Sequence, residues 1–123
     1  MTDSSERVSL LDARTFVVAI DEWLDENVSE AYKDQPLAQH WARVAKAGEE
    51  AGEAIDALIA WTGQNPRKPQ RDDAYDDLMD ELADTALTAV YGMQHFTKDA
   101  DETMRLLLAR LAHHHGRLVV RNA

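Results

Sequence analysis

Glu49-Glu50-Ala51-Gly52-Glu53-Ala54 and Asp80-Glu81-Leu82-Ala83-Asp84 are the two stretches on which the fold turns. Each lies in a longer segment whose apolar residues recur at helical spacing. Each sets carboxylates three residues apart, and therefore on one face of a helix. Acids interleaved with Ala, Gly and Leu in mid-helix are costly to bury unless a cation joins them. Oxygen donors of this kind suit a hard divalent ion such as Mg2+.

Working outward, Val44, Ala47, Ala51, Ile55, Leu58 and Ile59 are the apolar positions of a helix that begins at Pro36 and runs to about Thr62. Proline suits a first turn, and Gly63 suits a C-terminal cap. Leu78, Leu82, Ala86, Ala89, Val90 and Met93 form the stripe of another helix, capped by Asp72 or Asp73 and reaching about Phe96. Asn65-Pro66 and Lys68-Pro69 interrupt the pattern between the two. Upstream, Ser9-Leu10-Leu11-Asp12 resembles a capping box with Asp in the distal position. It opens a helix to about Asn27, with Leu11, Phe16, Val17, Ile20 and Leu24 on its apolar side. Val28 to Gln35 reads as a connector. A last helix from about Asp101 to Leu118 turns Met104, Leu107, Leu108 and Leu111 inward. No strand alternation of useful length and no repeat is present. The expected architecture is all-α: a four-helix bundle in one domain over residues 9–121, behind a flexible N-terminus at residues 1–8.

Composition agrees. The chain has 123 residues, of which 45% are apolar, enough for one hydrophobic core. The longest apolar run is Phe16 to Ile20, too short for a membrane span or a signal-peptide core. Cysteine is absent, which excludes disulfides and thiolate metal sites and makes the cytoplasm the expected compartment. A net charge of -10 repels nucleic acid and anionic membranes. It would repel a polyphosphate too, unless bound metal reversed the local sign.

Acidic pairs at this spacing are common here; Glu22/Asp25, Asp73/Asp76 and Asp99/Glu102 are others. Glu50/Glu53 and Glu81/Asp84 stand apart because they lie mid-helix, away from the N-termini where acids favour the helix dipole. Gly52 adds to the case. A glycine inside a helix costs ~1 kcal/mol relative to alanine, and close approach of a helix or ligand is the usual reason for one. Asp77 and Glu49 are candidates on neighbouring faces. The residues alone leave two readings open, a Mg2+ or Mn2+ cage and a solvated face in which Lys46 pairs with Glu49 and Glu50.

The pattern resembles the MazG-like all-α nucleoside triphosphate pyrophosphatases, the superfamily that includes the dimeric dUTPases and the dCTP pyrophosphatases. Glu-x-x-Glu at Glu50 and Glu53, a loop, then Glu-x-x-Asp at Glu81 and Asp84 carry the likeness, which spans about Leu37 to Arg117. It implies a four-helix MazG-like bundle, oligomeric as a homodimer or homotetramer. It implies Mg2+-dependent cleavage of an NTP or dNTP between the α- and β-phosphates, giving a nucleoside monophosphate and pyrophosphate. Glu50, Glu53, Glu81 and Asp84 would be the metal ligands, and Glu49 or Glu50 would orient the attacking water. Lys46, Trp61, Arg110 and His114 would contact substrate, with Trp61 as base platform. Asp80 stands where many members have Lys, and Arg110 and His114 stand where members often have Lys and Asn.

Other features have plainer readings. Trp23 and Trp41 read as core or interface, and Tyr91, two turns after Asp84, as core or as a residue closing the site. Arg67, Lys68 and Arg71 form a cationic loop, open to two readings, a grip on phosphates and a solvated connection. His113-His114-His115 cannot converge on one ion, because consecutive helical residues diverge. Two rival functions remain, a non-catalytic acidic helical bundle acting as a regulatory or interaction protein, and a phosphoribosyl-ATP pyrophosphohydrolase.

Overall fold

The computed structural model describes residues 9–121, and within them the chain is all-helical. Four α-helices follow in order: α1 (Leu10–Glu26), α2 (Pro36–Thr62), α3 (Ala74–Thr97) and α4 (Ala100–Arg121). One 3-10 turn, Glu30–Tyr32, interrupts the connector between α1 and α2. The expectation of a flexible segment at residues 1–8 falls outside the described residues, as does the side chain of Leu11. No described helix is long and apolar enough to cross a membrane.

The helix boundaries follow local chemistry. Ser9 caps α1 by accepting from the Asp12 backbone N–H, and the Asp12 carboxylate accepts from Ser9 in return. Pro36 occupies the first turn of α2. Gly63 ends that helix with φ 70, and its N–H donates to Ile59 O at 3.0 Å. Asp73 precedes α3 but makes no side-chain cap; its carboxylate favours the helix dipole and pairs with Arg71.

α2 and α3 form an antiparallel hairpin and the main packing unit of the chain. Ala54 and Ala57 bury with Leu78 in their seam, and Gly92 is buried where an added Cβ would make ordinary contact with the Arg43 carbonyl at 3.7 Å. The expected apolar positions divide. Ala47, Ala51, Ile59 and Val90 are partly covered and Leu78 is buried, but Val44, Ile55, Leu58 and Leu82 are exposed. With Trp41, Tyr75 and Met79, these exposed residues line one side of the hairpin. Helical periodicity places Glu49, Glu53, Asp56, Asp77, Asp80 and Asp84 along the other. The hairpin therefore has an apolar face and an acidic face.

α1 and the start of α4 pack on α3. Val17 is buried on α1, whereas Phe16 is exposed. The buried Thr103 hydroxyl donates to Gln94 Oε1 at 2.8 Å, joining α4 to α3. Beyond Met104 every described residue of α4 is exposed. The expectation that Leu107, Leu108 and Leu111 turn inward is thus corrected: α4 leaves the body after its first turn, and no helix of the chain covers those leucines.

Gly63 is the backbone position least able to change. A Cβ there would sit 2.9 Å from Gln70 Cβ, and φ 70 is strained for any L side chain. Gly63→Ala should cost about 1–2 kcal/mol, read as a lower urea midpoint with an unchanged m-value.

Candidate metal and nucleotide site

Glu50 on α2 and Glu81 on α3 occupy the seam itself, and Glu53 lies one turn from Glu50 at its edge. Each offers a carboxylate oxygen, and the three oxygens lie within 4.8 Å of one another. Glu50 is largely covered, with 13% of its side chain exposed. The Oε2 atom of Glu81 is buried with no hydrogen-bond partner. Burial, the adjoining Glu53 carboxylate and the charges of Asp84 and Glu50 together raise the Glu81 pKa above 4.5. An orphaned carboxylate oxygen facing two more carboxylates is a site short of positive charge. The donor set is all oxygen and fits Mg2+ or Mn2+.

The other expected site residues are distributed unevenly. Asp84 is exposed and lies outside the converging trio, although its charge reaches Glu81. Lys46 pairs with Glu49 at 3.1 Å and with Glu50 at 3.4 Å, and these partners raise its pKa. Trp61 stands near the end of α2, its ring edge-on to Tyr75 at 5.3 Å. Arg110 and His114 lie on the exposed stretch of α4, which makes no contact with α2. They are not brought to the carboxylates within the chain. Gly52 has no close neighbour either: a Cβ added there would meet nothing within 4 Å. Arg71 of the cationic loop is held by Asp77 at 3.1 Å and Asp73 at 3.6 Å.

On the acidic side of the hairpin, α1 packs on α3 and, with α2, bounds an open cavity of about 410 Å3. Trp23, Tyr32 and Tyr91 give it aromatic walls, and Gln39, Ser29 and Thr88 supply polar edges. Lys46 lines it and also holds Glu50, so cavity and carboxylates adjoin. Tyr91 lies two turns after Asp84 on α3, and burial and then the charge of Asp84 raise its pKa. Trp23 and Tyr91 therefore line a cavity rather than a filled core. The sequence signal that could have found it is the clustering of Trp23, Val28 and Tyr32 around a connector with its own short turn.

No family model, no curated protein and no solved structure matches this chain. The site is therefore read from its own geometry.

A second cluster was not expected from the sequence. Asp21 is buried on α1 and accepts from Arg43 at 2.7 Å and Lys98 at 2.9 Å. Asp25 accepts from the same cations at 3.1 and 2.6 Å. His95 Nδ1 lies 3.8 Å from Asp25, and His95 Nε2 is 2.8 Å from His40 Nδ1. Asp21, Asp25 and His95 could in principle ligate a metal. Here two cations already neutralise both carboxylates, so the group is an ion-pair network that fixes α1, and one wall of the cavity, to α2 and α3. The spacing of Asp21 and Asp25 shows their common face, but Lys98 meets them across 73 or more residues.

Two outcomes follow from these environments. The folded state raises the Glu81 pKa, so without metal its ionised form destabilises the fold above pH 4.5. Glu81→Gln should raise Tm at neutral pH in EDTA, lose that gain as pH falls toward 4.5, and abolish the Tm rise on adding Mg2+. The network has the opposite sign. Burial opposes the Asp25 carboxylate, but hydrogen bonds from Lys98 and Arg43 outweigh it and hold the pKa below 3.8. Burial, then the charges of Arg43 and Lys98, lowers the His95 pKa below 6.5. Both groups bind fewer protons when folded, so stability should fall as pH drops below 6.5, and again below 3.8, in urea titrations. Asp21→Ala should cost about 3 kcal/mol at neutral pH, because it removes the buried carboxylate of the network and leaves Arg43 and Lys98 to share the more exposed Asp25.

Proposed function

We propose that this protein is a Mg2+-dependent nucleotide pyrophosphohydrolase of MazG-like type, cleaving an NTP or dNTP between its α- and β-phosphates. The buried, partnerless Glu81 Oε2 facing Glu50 and Glu53 carries the reading. An aromatic-walled cavity beside it, bridged by Lys46, adds a place for the nucleoside. Glu50, Glu53 and Glu81 would hold the ion, with Asp84 joining from the next turn. Bound there, Mg2+ would neutralise phosphate charge and lower the pKa of an attacking water.

The chain's own residues supply the rest. Lys46 has a mobile ammonium between carboxylates and cavity, suited to a phosphate oxygen once Glu50 turns to the metal. Glu49, exposed and released from Lys46, would orient the water. Trp23, Tyr32 and Tyr91 present flat apolar surface to a base, a role the resemblance gave to Trp61. The bare apolar face of the hairpin, with Trp41, Val44, Ile55, Leu58, Tyr75, Met79 and Leu82, supports a homo-oligomer built from α2 and α3. A role in clearing surplus or non-standard nucleotides would suit a cytoplasmic protein. Arg110 and His114, remote from the carboxylates in this chain, are what favours the second reading, a non-catalytic acidic bundle.

Pyrophosphate release from a panel of canonical and modified NTPs and dNTPs, with Mg2+ and with EDTA, tests the reaction. Glu53→Gln should lower Mg2+-dependent release roughly 100-fold or more, as the loss of several kcal/mol of charge stabilisation implies, with helical content retained. Undiminished release would remove Glu53 from the site. No release from any nucleotide by folded wild-type protein would transfer support to the non-catalytic reading.

A further inference from the structure

One face of α2 carries an ordered series of polar side chains. Gln39, Arg43, Lys46, Glu50 and Glu53 follow at spacings of four, three, four and three residues, so they share a stripe. Glu50 and Glu53 belong to the carboxylate trio, and Lys46 joins the trio to the cavity. Arg43 and Gln39 continue along the cavity wall. At ~1.5 Å per residue they lie about 4.5 and about 10.5 Å beyond Lys46 along the helix axis. The order is metal donors, a phosphate-binding cation, then a remote polar end. A nucleotide has the same order from its phosphates to the edge of its base.

The remote end offers acceptors. Arg43 is committed within the ion-pair network: Nη2 donates to the Asp21 carbonyl at 3.2 Å, to Asp21 Oδ1 at 2.7 Å and to Asp25 Oδ1 at 3.1 Å, and Nη1 is buried. Asp25 lines the cavity with 39% of its side chain exposed. Arg43 and Lys98 each bond one of its two oxygens, which fixes the carboxylate and leaves acceptor capacity on both. Gln39 is oriented in the same sense. Its Nε2 donates to the Tyr32 carbonyl at 2.9 Å, which leaves Oε1 as the atom with no partner among the described residues. The hydroxyls of Ser29 and Thr88 can donate or accept and favour neither kind of ligand.

We infer that this end of the cavity selects nucleotides whose base carries an exocyclic amino group, with Asp25 and Gln39 as the acceptors that read it. Uracil and hypoxanthine place a carbonyl oxygen where cytosine and adenine place the amine. That oxygen would meet fixed acceptors in an aromatic-walled space, and the groups would be left unpaired. Trp23, Tyr32 and Tyr91 contact the flat faces of any base, so they add affinity without identity. Specificity then comes from the cost imposed on the wrong edge. The Asp21–Arg43–Lys98 network gains a second task, holding Asp25 ionised and in register with the ligand.

The inference rests on the pyrophosphohydrolase reading, so its test includes a readout without turnover. Pyrophosphate release is compared in two pairs that exchange amine for carbonyl at one ring position, CTP with UTP and ATP with ITP. In each pair that is hydrolysed, the amino member should lead by about 100-fold in kcat/KM, less than a fully enclosed hydrogen-bonding site achieves because Asp25 is part exposed. Asp25→Asn exchanges an acceptor for a donor and should bring the ratio within about threefold of unity. Gln39→Met lies outside the ion-pair network and should lower the ratio about tenfold, the loss of one hydrogen bond. Equal rates for the two members of a pair overturn the inference, as does a wild-type ratio in either variant at unchanged helicity. In the second readout, CMP, UMP, AMP and IMP are titrated calorimetrically in EDTA. In each pair that binds, the amino member should bind about tenfold more tightly, and Gln39→Met should erase most of that preference. If wild type releases no pyrophosphate yet keeps this preference, base selection stands and the hydrolase reading falls. Release without preference in either assay does the reverse, and neither release nor binding overturns both.

Discussion

Three carboxylates meet at one helix seam: oxygens of Glu50, Glu53 and Glu81 lie within 4.8 Å of one another. Like charges this close disfavour full ionisation unless a proton or a cation joins them. The fold holds them there because other contacts of the α2–α3 seam offset the repulsion, apolar at Ala54, Ala57 and Leu78 and polar where His40 meets His95. Stability and ligand affinity are coupled at one position: what Glu81 costs the empty protein is what a cation would relieve.

The two ends of the hairpin solve charge differently. At the Glu81 end the carboxylates face one another and Lys46 serves only the rim. At the other end Asp21 and Asp25 meet Arg43 and Lys98 directly, with His95 and His40 packed alongside. Both clusters are acidic groups near a helix seam, and both satisfy a distance criterion for metal ligands. Cations already in place make one a fixed strut; the other has room for a cation from outside, as the proposed function requires. The strut also holds α1, and with it Trp23, beside the cavity.

Much of this was legible in the chain. Pro36, Gly63 and the Ser9–Asp12 box marked helix ends through backbone chemistry that does not depend on tertiary context. Glu50, Glu53 and Glu81 could be grouped because residues three apart share a face, and small neighbours signalled a seam. Helical spacing could not say which of two apolar stripes packs within the chain. Val44, Ile55 and Leu58 have the same period as Ala54 and Ala57, yet the alanines are buried in the seam and the larger residues are exposed. Leu107, Leu108 and Leu111 were misplaced for the same reason: amphipathicity shows that a face wants covering, not what covers it. Lys98 joining Asp21 and Asp25, and the cavity between α1 and the hairpin, depend on contacts distant in sequence that no local pattern encodes. Gly52 was read as a point of close approach, and within the chain nothing approaches it.

The span of the strut also bears on how the molecule assembles in time. α2 and α3 are joined by a short loop, so their seam closes at small entropic cost and with it the carboxylate trio. α1 is secured twice, to α2 through Arg43 and Asp21 across 22 residues and to the end of α3 through Lys98 and Asp25 across 73. The longer closure pays its chain entropy before any contact rewards it. The carboxylate trio needs only the α2–α3 seam, whereas the walls of the cavity come from α1, α2 and α3 together. Under the proposed function, an ion would depend on the hairpin alone and a nucleotide on the whole helical body.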